Sequence, residues 1–186
     1  MANDYRHYAI VVKPVASQCN LRCDYCYYLH KRVAPQSGVM SNDVLEEYIR
    51  QVISIHGSKA EIEFAWHGGE PTLAGIPFYR KAMELQLKYG NGRRIMNTLQ
   101  TNGTLLNDEW CRLFQENNFR IGISIDGPEN LHNAYRKDTA GNGTFSKVMN
   151  GISLLQKHNI EYNTLTTVNS ITVSYTHLTL PTITAV

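Results

Sequence analysis

Three of the four cysteines crowd into Cys19-Asn-Leu-Arg-Cys23-Asp-Tyr-Cys26, and the fourth, Cys111, stands far along the chain. That is not the even spread of a disulfide framework; in a reducing compartment it reads as metal ligation. Iron-sulfur clusters take thiolates from such compact loops, and a cubane offers each of its irons one ligand position. Three thiolates therefore leave one iron open to a substrate or cofactor. Zinc is the competing metal: His30 follows Cys26 closely enough for a Cys3His knuckle. Against it, Tyr25, Tyr27, Tyr28 and Leu29 make the loop apolar, which suits a shielded cluster. Three coincidental core thiols are the bland alternative.

A second signal is Trp66-His67-Gly68-Gly69-Glu70-Pro71. Paired glycines let a bound molecule approach main-chain groups, and Pro71 fixes the turn. Taken alone, the same residues describe a tight strand-to-helix turn. Cys111, beside Trp110, Leu113 and Phe114, reads as a core thiol. His67 has no identifiable partner for a ligand role, and Arg93-Arg94 reads as a solvated pair.

The elements that must position these residues alternate between strand and helix. Tyr8 to Val15 is apolar and β-branched and predicts a first strand leading into the cysteine loop. Ser41 can cap a helix striped by Val44, Leu45, Tyr48, Ile49, Val52 and Ile53. Ala60 to Trp66 alternates as a second strand that delivers the glycines. Pro77 fits the first turn of a helix running to about Tyr89. Arg94 to Gln100 is a third strand, its hydrophobicity interrupted by Asn97, and Asn107 can cap the following helix. Phe119 to Ile125 is a fourth strand closed by Asp126-Gly127-Pro128. Phe145, Val148, Ile152 and Leu155 stripe a further helix, and Ile160 to Val168 is a fifth strand. The fold class is α/β, with a parallel sheet either open or curved into a barrel. In such folds chemistry gathers where strand carboxyl ends meet the following loops, so both signals fall on the functional edge.

Composition sets the outer bounds. The chain of 186 residues carries 18 Lys plus Arg against 16 Asp plus Glu, a net charge of +2 that predicts no nucleic-acid footprint. The N-terminal residues lack the order of a signal peptide, and no stretch has the roughly 18 apolar residues of a membrane span. A cytoplasmic location is expected. From Tyr162 to Val186 there is no Asp, Glu, Lys or Arg, and eight residues are Thr. Residues 172–186 therefore read as a non-native tail, with Val173 to Leu178 resembling a translated sequencing adapter, and residues 1–171 as the N-terminal part of a core domain.

Together the cysteine loop and Gly68-Gly69-Glu70-Pro71 resemble the radical S-adenosylmethionine enzymes. More narrowly, the chain resembles the anaerobic sulfatase-maturating enzymes of the SPASM-domain group. That likeness is carried by Cys26-Tyr27-Tyr28, Gln100-Thr101-Asn102-Gly103-Thr104, Ser124-Ile125-Asp126-Gly127-Pro128, His132-Asn133 and Arg136-Lys137-Asp138.

The resemblance implies a partial (β/α)6 TIM-like barrel of the radical SAM type, truncated after about strand five. It implies that Cys19, Cys23 and Cys26 hold a [4Fe-4S] cluster whose fourth iron chelates S-adenosylmethionine. Gly68 and Gly69 would offer backbone oxygens to that cofactor, Glu70 would hold their turn, and Ser124 would contact its carboxylate or ribose. On that reading, Gly69→Val would spare iron and weaken cofactor binding. The implied activity is cleavage to a 5'-deoxyadenosyl radical that oxidises a Cys or Ser of an unfolded sulfatase polypeptide to Cα-formylglycine. Other peptide-modifying reactions, forming thioethers or crosslinks, share most of these motifs. The implied electron source is a reduced flavodoxin or ferredoxin, with auxiliary [4Fe-4S] clusters only in a C-terminal cysteine-rich domain. Asp126 is a candidate for proton transfer, and equally an ordinary turn former as an Asp before Gly-Pro. Gln100 and Asn102 are expected to line the cavity.

Overall fold

The structure, a computed structural model, describes residues 8, 10–29, 38–169 and 172. His30, invoked for a zinc knuckle, and nearly all of the 172–186 tail lie outside the described residues.

Among the described residues, five parallel strands pair in the order of the sequence: β1 (Val11–Val12), β2 (Ile62–Trp66), β3 (Ile95–Thr101), β4 (Phe119–Ser124) and β5 (Tyr162–Leu165). Doubly wound sheets reverse their strand order partway; this one never does, which is the winding of a barrel. Register is continuous across the sheet, with Val11 opposite Ala65, Ala65 opposite Thr98, and Thr98 opposite Arg120.

Each strand alternates its two faces. Ile62, Phe64, Trp66, Leu99, Phe119, Ile121 and Ile123 are buried against helices α1 (Asn42–Ile55), α2 (Ile76–Gly90), α3 (Asp108–Glu116) and α5 (Phe145–Lys157). Asn97 sits on this apolar face without penalty. Its Oδ1 accepts from Trp66 Nε1 at 2.8 Å and from Gln86 Nε2 at 2.9 Å, while its Nδ2 donates to Gln86 Oε1 at 2.9 Å. A buried amide with these partners is satisfied, which explains how strand three tolerates it.

Local signals agree with the helix starts. The Ser41 side chain accepts from Val44 N, and Asn107 Oδ1 accepts from both Glu109 N and Trp110 N. Three expectations change. Among the described residues of the predicted Tyr8 to Val15, the first strand covers Val11–Val12; it ends there because Ala16 N–H bonds to Lys13 O at 3.1 Å and Ala16 takes a positive φ of 51°. A tight turn there ends the ladder. Likewise the fifth strand spans Tyr162–Leu165 rather than Ile160 to Val168. Of the Arg93-Arg94 pair, Arg94 is exposed, but Arg93 is half-buried: its guanidinium donates to Ile53 O, Gly57 O and Ala60 O, closing the end of α1. A short helix, α4 (Glu129–Tyr135), and a 3-10 turn over Pro71–Ala74 were not anticipated, being too short to show a stripe.

The face away from the helices carries Glu63, Ala65, His67, Thr98, Gln100, Gly122 and Asn163, which line a concavity of about 520 Å³. That volume is in the range of small-molecule sites. Among the described residues, no helix is long and apolar enough to cross a membrane.

Candidate functional site

The cysteine loop follows β1 and is held on two sides. Toward β2, Gly69 N donates to Ala16 O at 2.9 Å and Glu70 N to Gln18 O at 2.7 Å, so the glycine turn extends the β1–β2 pairing up to the residue before Cys19. On the other side, Arg22 N donates to Lys137 O at 2.8 Å and Asp24 N to Tyr135 O at 3.0 Å. Within the loop, Cys26 N donates to Cys23 O at 2.8 Å. Cys19, Cys23 and Cys26 are free and half-buried.

Glycine is required at 69 for packing. A Cβ there would lie 1.9 Å from Gln18 O and 2.5 Å from Gln18 C. At Gly68, which has a φ of 129°, a Cβ would lie 2.8 Å from Ala16 O. The sequence pattern assigns this space to a ligand; in the structure the backbone of the cysteine loop fills it. The paired glycines therefore set the distance between the second strand and the cysteines.

Glu70 is fully buried. Its Oε1 accepts from Thr72 N, Thr72 Oγ1 and Thr101 Oγ1 at 3.1, 2.6 and 2.7 Å, and its Oε2 accepts from Asn102 N at 2.7 Å. Burial pushes the carboxyl above the usual range, and these donors pull it back. Glu70 thus caps the 3-10 turn that follows it and ties the carboxyl end of β2 to that of β3.

At the carboxyl end of β3, Asn102 Nδ2 donates to Asn20 Oδ1 at 2.9 Å and lies 3.7 Å from Cys19 Sγ. Gln100 Nε2 donates to Ser124 Oγ at 3.0 Å. A Cβ at Gly122 would lie 2.0 Å from Gln100 Oε1, so the glycine lets Gln100 lie across β4. The candidate residues at the carboxyl ends of the first four strands therefore gather at one end of the sheet.

Asp126 is buried and saturated. Its Oδ2 accepts from Arg136 Nε at 2.7 Å and from the Tyr25 hydroxyl; its Oδ1 accepts from Arg136 Nη2 at 3.3 Å and from Thr167 N at 2.9 Å. The Arg136 guanidinium also lies 5.5 Å from the centre of the Tyr25 ring. These partners make Asp126 an anchor between the cysteine loop, α4 and the chain after β5, and leave it no free lone pair. In the sequence Arg136 stands out only as part of a motif, and its spacing holds no sign that it reaches Tyr25. Cys111 is buried in the helical core, as expected. His67 lines the concavity, with burial the larger and the Lys13 charge the smaller influence lowering its affinity for a proton.

The donor set fits an iron-sulfur cluster held through Cys19, Cys23 and Cys26. Burial pushes the Cys19 thiol up, and pushes Cys23 up to about 11 with Arg136 opposing. Protonated thiols on a shielded loop lose their protons when metal binds. Among the described residues, no group of three His, Cys, Asp or Glu converges on a single ion.

A family model for the radical SAM superfamily matches residues 14–178. A serine-type anaerobic sulfatase-maturating enzyme of Bacteroides thetaiotaomicron is 48% identical over 169 residues, covering 89% of this chain and 41% of the relative. A cysteine-type enzyme of Clostridium perfringens is 42% identical over 171 residues, covering 90% and 46%. Among solved structures, native anSMEcpe with bound AdoMet and the Kp18Cys peptide superposes with a TM-score of 0.84 at 41% identity, covering 90% of this chain and 45% of that one. Streptococcus suis SuiB bound to S-adenosylmethionine shares the fold at a TM-score of 0.53 and 14% identity. The chain spans less than half the length of the relatives it matches. With the sequential parallel sheet, the cysteine loop and the family match in agreement, the chain belongs to the radical SAM superfamily and is closely related to the anaerobic sulfatase-maturating enzymes.

Proposed function

We propose that this chain is the N-terminal part of a radical SAM oxidoreductase that converts a Cys or Ser of a sulfatase polypeptide to Cα-formylglycine. The observation that carries the reading is the meeting of Cys19, Cys23 and Cys26 with the Gly68-Gly69-Glu70 turn at the carboxyl end of a barrel-wound sheet. The high identity to both serine-type and cysteine-type maturases supports the substrate class.

When bound, a [4Fe-4S] cluster and S-adenosylmethionine supply one-electron cleavage to a 5'-deoxyadenosyl radical. The chain's own residues provide placement. The three cysteines would hold the cluster, and because the stretch before Cys19 pairs with the Gly69-Glu70 turn, the Gly68 and Gly69 carbonyls would be available to the cofactor's ammonium. Ser124, braced by Gln100, would meet its carboxylate or ribose. The inner face of the sheet would receive the peptide side chain and keep bulk water from the reacting carbon. A reduced flavodoxin or ferredoxin would supply the electron. Auxiliary clusters in a cysteine-rich domain would take the substrate's second electron, and residues 172–186 would be a non-native tail.

Two measurements test this. Reconstituted without oxygen, the chain should take up about four irons and four sulfides, and Cys23→Ala should abolish stable assembly. Stoichiometric zinc with no iron-sulfur absorption would overturn the cluster. The longer protein, given reductant and S-adenosylmethionine, should make formylglycine in a sulfatase-derived peptide, read by mass spectrometry. A crosslinked or thioether product would move it to another peptide-modifying branch.

A further inference from the structure

Asn102 has an amide whose orientation is fixed by its surroundings. Its Oδ1 accepts from Thr104 N at 3.0 Å and from Thr104 Oγ1 at 2.7 Å. A backbone N–H can only donate, so the side-chain oxygen must face Thr104 and the NH2 must face the cysteine loop. One of its hydrogens goes to Asn20 Oδ1 at 2.9 Å. The other is directed at Cys19 Sγ, 3.7 Å away. The same sulfur receives the Leu21 backbone N–H at 3.4 Å. Thr104 Oγ1 in turn accepts from Asn20 Nδ2 at 2.9 Å, closing a ring of hydrogen bonds over Cys19. The Asn102 backbone is itself pinned, because its N–H donates to the buried Glu70 carboxylate.

We propose that Asn102 is a positioning residue that sets the reduction potential of the cluster through the Cys19 sulfur, by donating a side-chain N–H to it. The inference rests on the reading of Cys19 as a cluster ligand. Hydrogen bonds to ligating sulfurs are among the factors that set cluster potentials. One electron added to the cluster increases negative charge on its sulfurs, so an N–H donor stabilises the reduced state more than the oxidised one and raises the potential. Leu21 N–H is supplied by the backbone and survives any side-chain change; Asn102 is the donor that a single substitution removes.

Asn102→Asp keeps the size and an acceptor toward Thr104 but has no N–H for the sulfur. Asn102→Ala removes the group altogether. The chain and its variants would be reconstituted with iron and sulfide and titrated with reductant, following the electron paramagnetic resonance signal of the reduced cluster. Both substitutions should lower the midpoint potential, the reduction equilibrium shifting by about tenfold, or ~59 mV for one electron. Asn107→Ala, which weakens the cap of α3 without touching a sulfur, serves as a control for general loss of stability and should leave the potential where it is.

Equal potentials in wild type, Asn102→Asp and Asn102→Ala, with iron content intact, would overturn the inference while leaving the functional reading in place. So would both variants losing iron while the remaining clusters titrate at the wild-type potential, since Asn102 would then only hold the loop. A wild-type chain that forms no iron-sulfur cluster would overturn the functional reading, and this inference with it.

Discussion

The Asn102 backbone N–H donates to Glu70 Oε2 at 2.7 Å, joining the ends of two neighbouring strands through one buried carboxylate. Glu70 reaches Thr72 and Thr101 as well, so the glycine turn and the Gln100-to-Thr104 loop share a single anchor. The cysteine loop hangs from the same assembly, since Glu70 N donates to Gln18 O.

Glu70→Gln should therefore cost more than an ordinary polar change. The new NH2 would face donors at one of the two oxygen positions, leaving buried N–H or O–H groups unpaired at a cost of roughly 2–4 kcal/mol. Urea unfolding of wild type and variant, both under anaerobic reducing conditions, measures it. Equal midpoints would mean that the four donors contribute nothing net.

Gly69→Ala should damage cluster assembly rather than cofactor binding alone. Its Cβ would lie 1.9 Å from Gln18 O, and the backbone that must yield leads directly into Cys19. From the sequence, even valine at this position is expected to spare the iron; the close approach reverses that expectation. Gly141→Ala provides a comparison, because Gly141 has a φ of 86° with nothing within 4 Å, so only backbone strain of about 1 kcal/mol should follow. Iron content after reconstitution should fall sharply for Gly69→Ala and stay near wild type for Gly141→Ala. Equal iron in the two would discount the close approach.

Much of this arrangement is legible in the sequence because its signals are local. Ser41 and Asn107 cap where their types and spacing place them, and the alternation of Ile62, Phe64 and Trp66 gives both the strand and its buried face. Cys19, Cys23 and Cys26 are legible for the same reason: a loop must supply them within a few residues. The hidden part depends on partners distant in sequence. Glu70 and Asn102 are 32 residues apart, and Tyr25 and Asp126 are 101 apart. No periodicity reports such pairings. Gly69 is legible as a special position, but whether a ligand or a neighbouring backbone occupies the place of its missing side chain is decided by the packing.

Asp126→Asn tests the buried ion pair. Arg136 and Asp126 have side chains 10% and 0% exposed, so neutralising the carboxylate leaves a desolvated guanidinium with a weaker partner. Removing one member of such a pair costs roughly 3–5 kcal/mol, whereas replacing both by apolar groups costs much less. Asp126→Asn should unfold at markedly lower urea, and combining it with Arg136→Met should recover part of the loss. A single variant as stable as wild type would show that the pair does not anchor the loop. Retained formylglycine formation by the longer protein carrying Asp126→Asn would separate this anchoring from proton transfer.

His132 predicts a pH dependence of stability with a defined direction. It is fully buried beneath Phe145, and Thr144 Oγ1, which donates to Arg136 O at 2.9 Å, has its hydrogen committed. His132 Nε2, 3.1 Å from that oxygen, must then carry the ring proton and donate, leaving Nδ1 to accept from Asp126 N at 3.4 Å. A second proton on Nδ1 would face a donor. Burial, with the Arg136 charge adding to it and Asp126 opposing, lowers the pKa of His132 to about 4 from the ordinary 6.5. The unfolded chain gains a proton as pH falls through 6.5, while the folded chain stays neutral until about 4. The stability gained from keeping this ring neutral is therefore fully present above pH 6.5 and is lost as pH falls from there toward 4. The loss attributable to this group reaches about 3 kcal/mol at most. Other carboxylates titrate in the same range, so the informative quantity is the difference between wild type and His132→Gln, which keeps hydrogen-bonding capacity without titrating. Urea unfolding at a series of pH values from 7 downward should give a steeper decline for wild type than for the variant, and parallel declines would mean that His132 is protonated in the folded chain as readily as in the unfolded one.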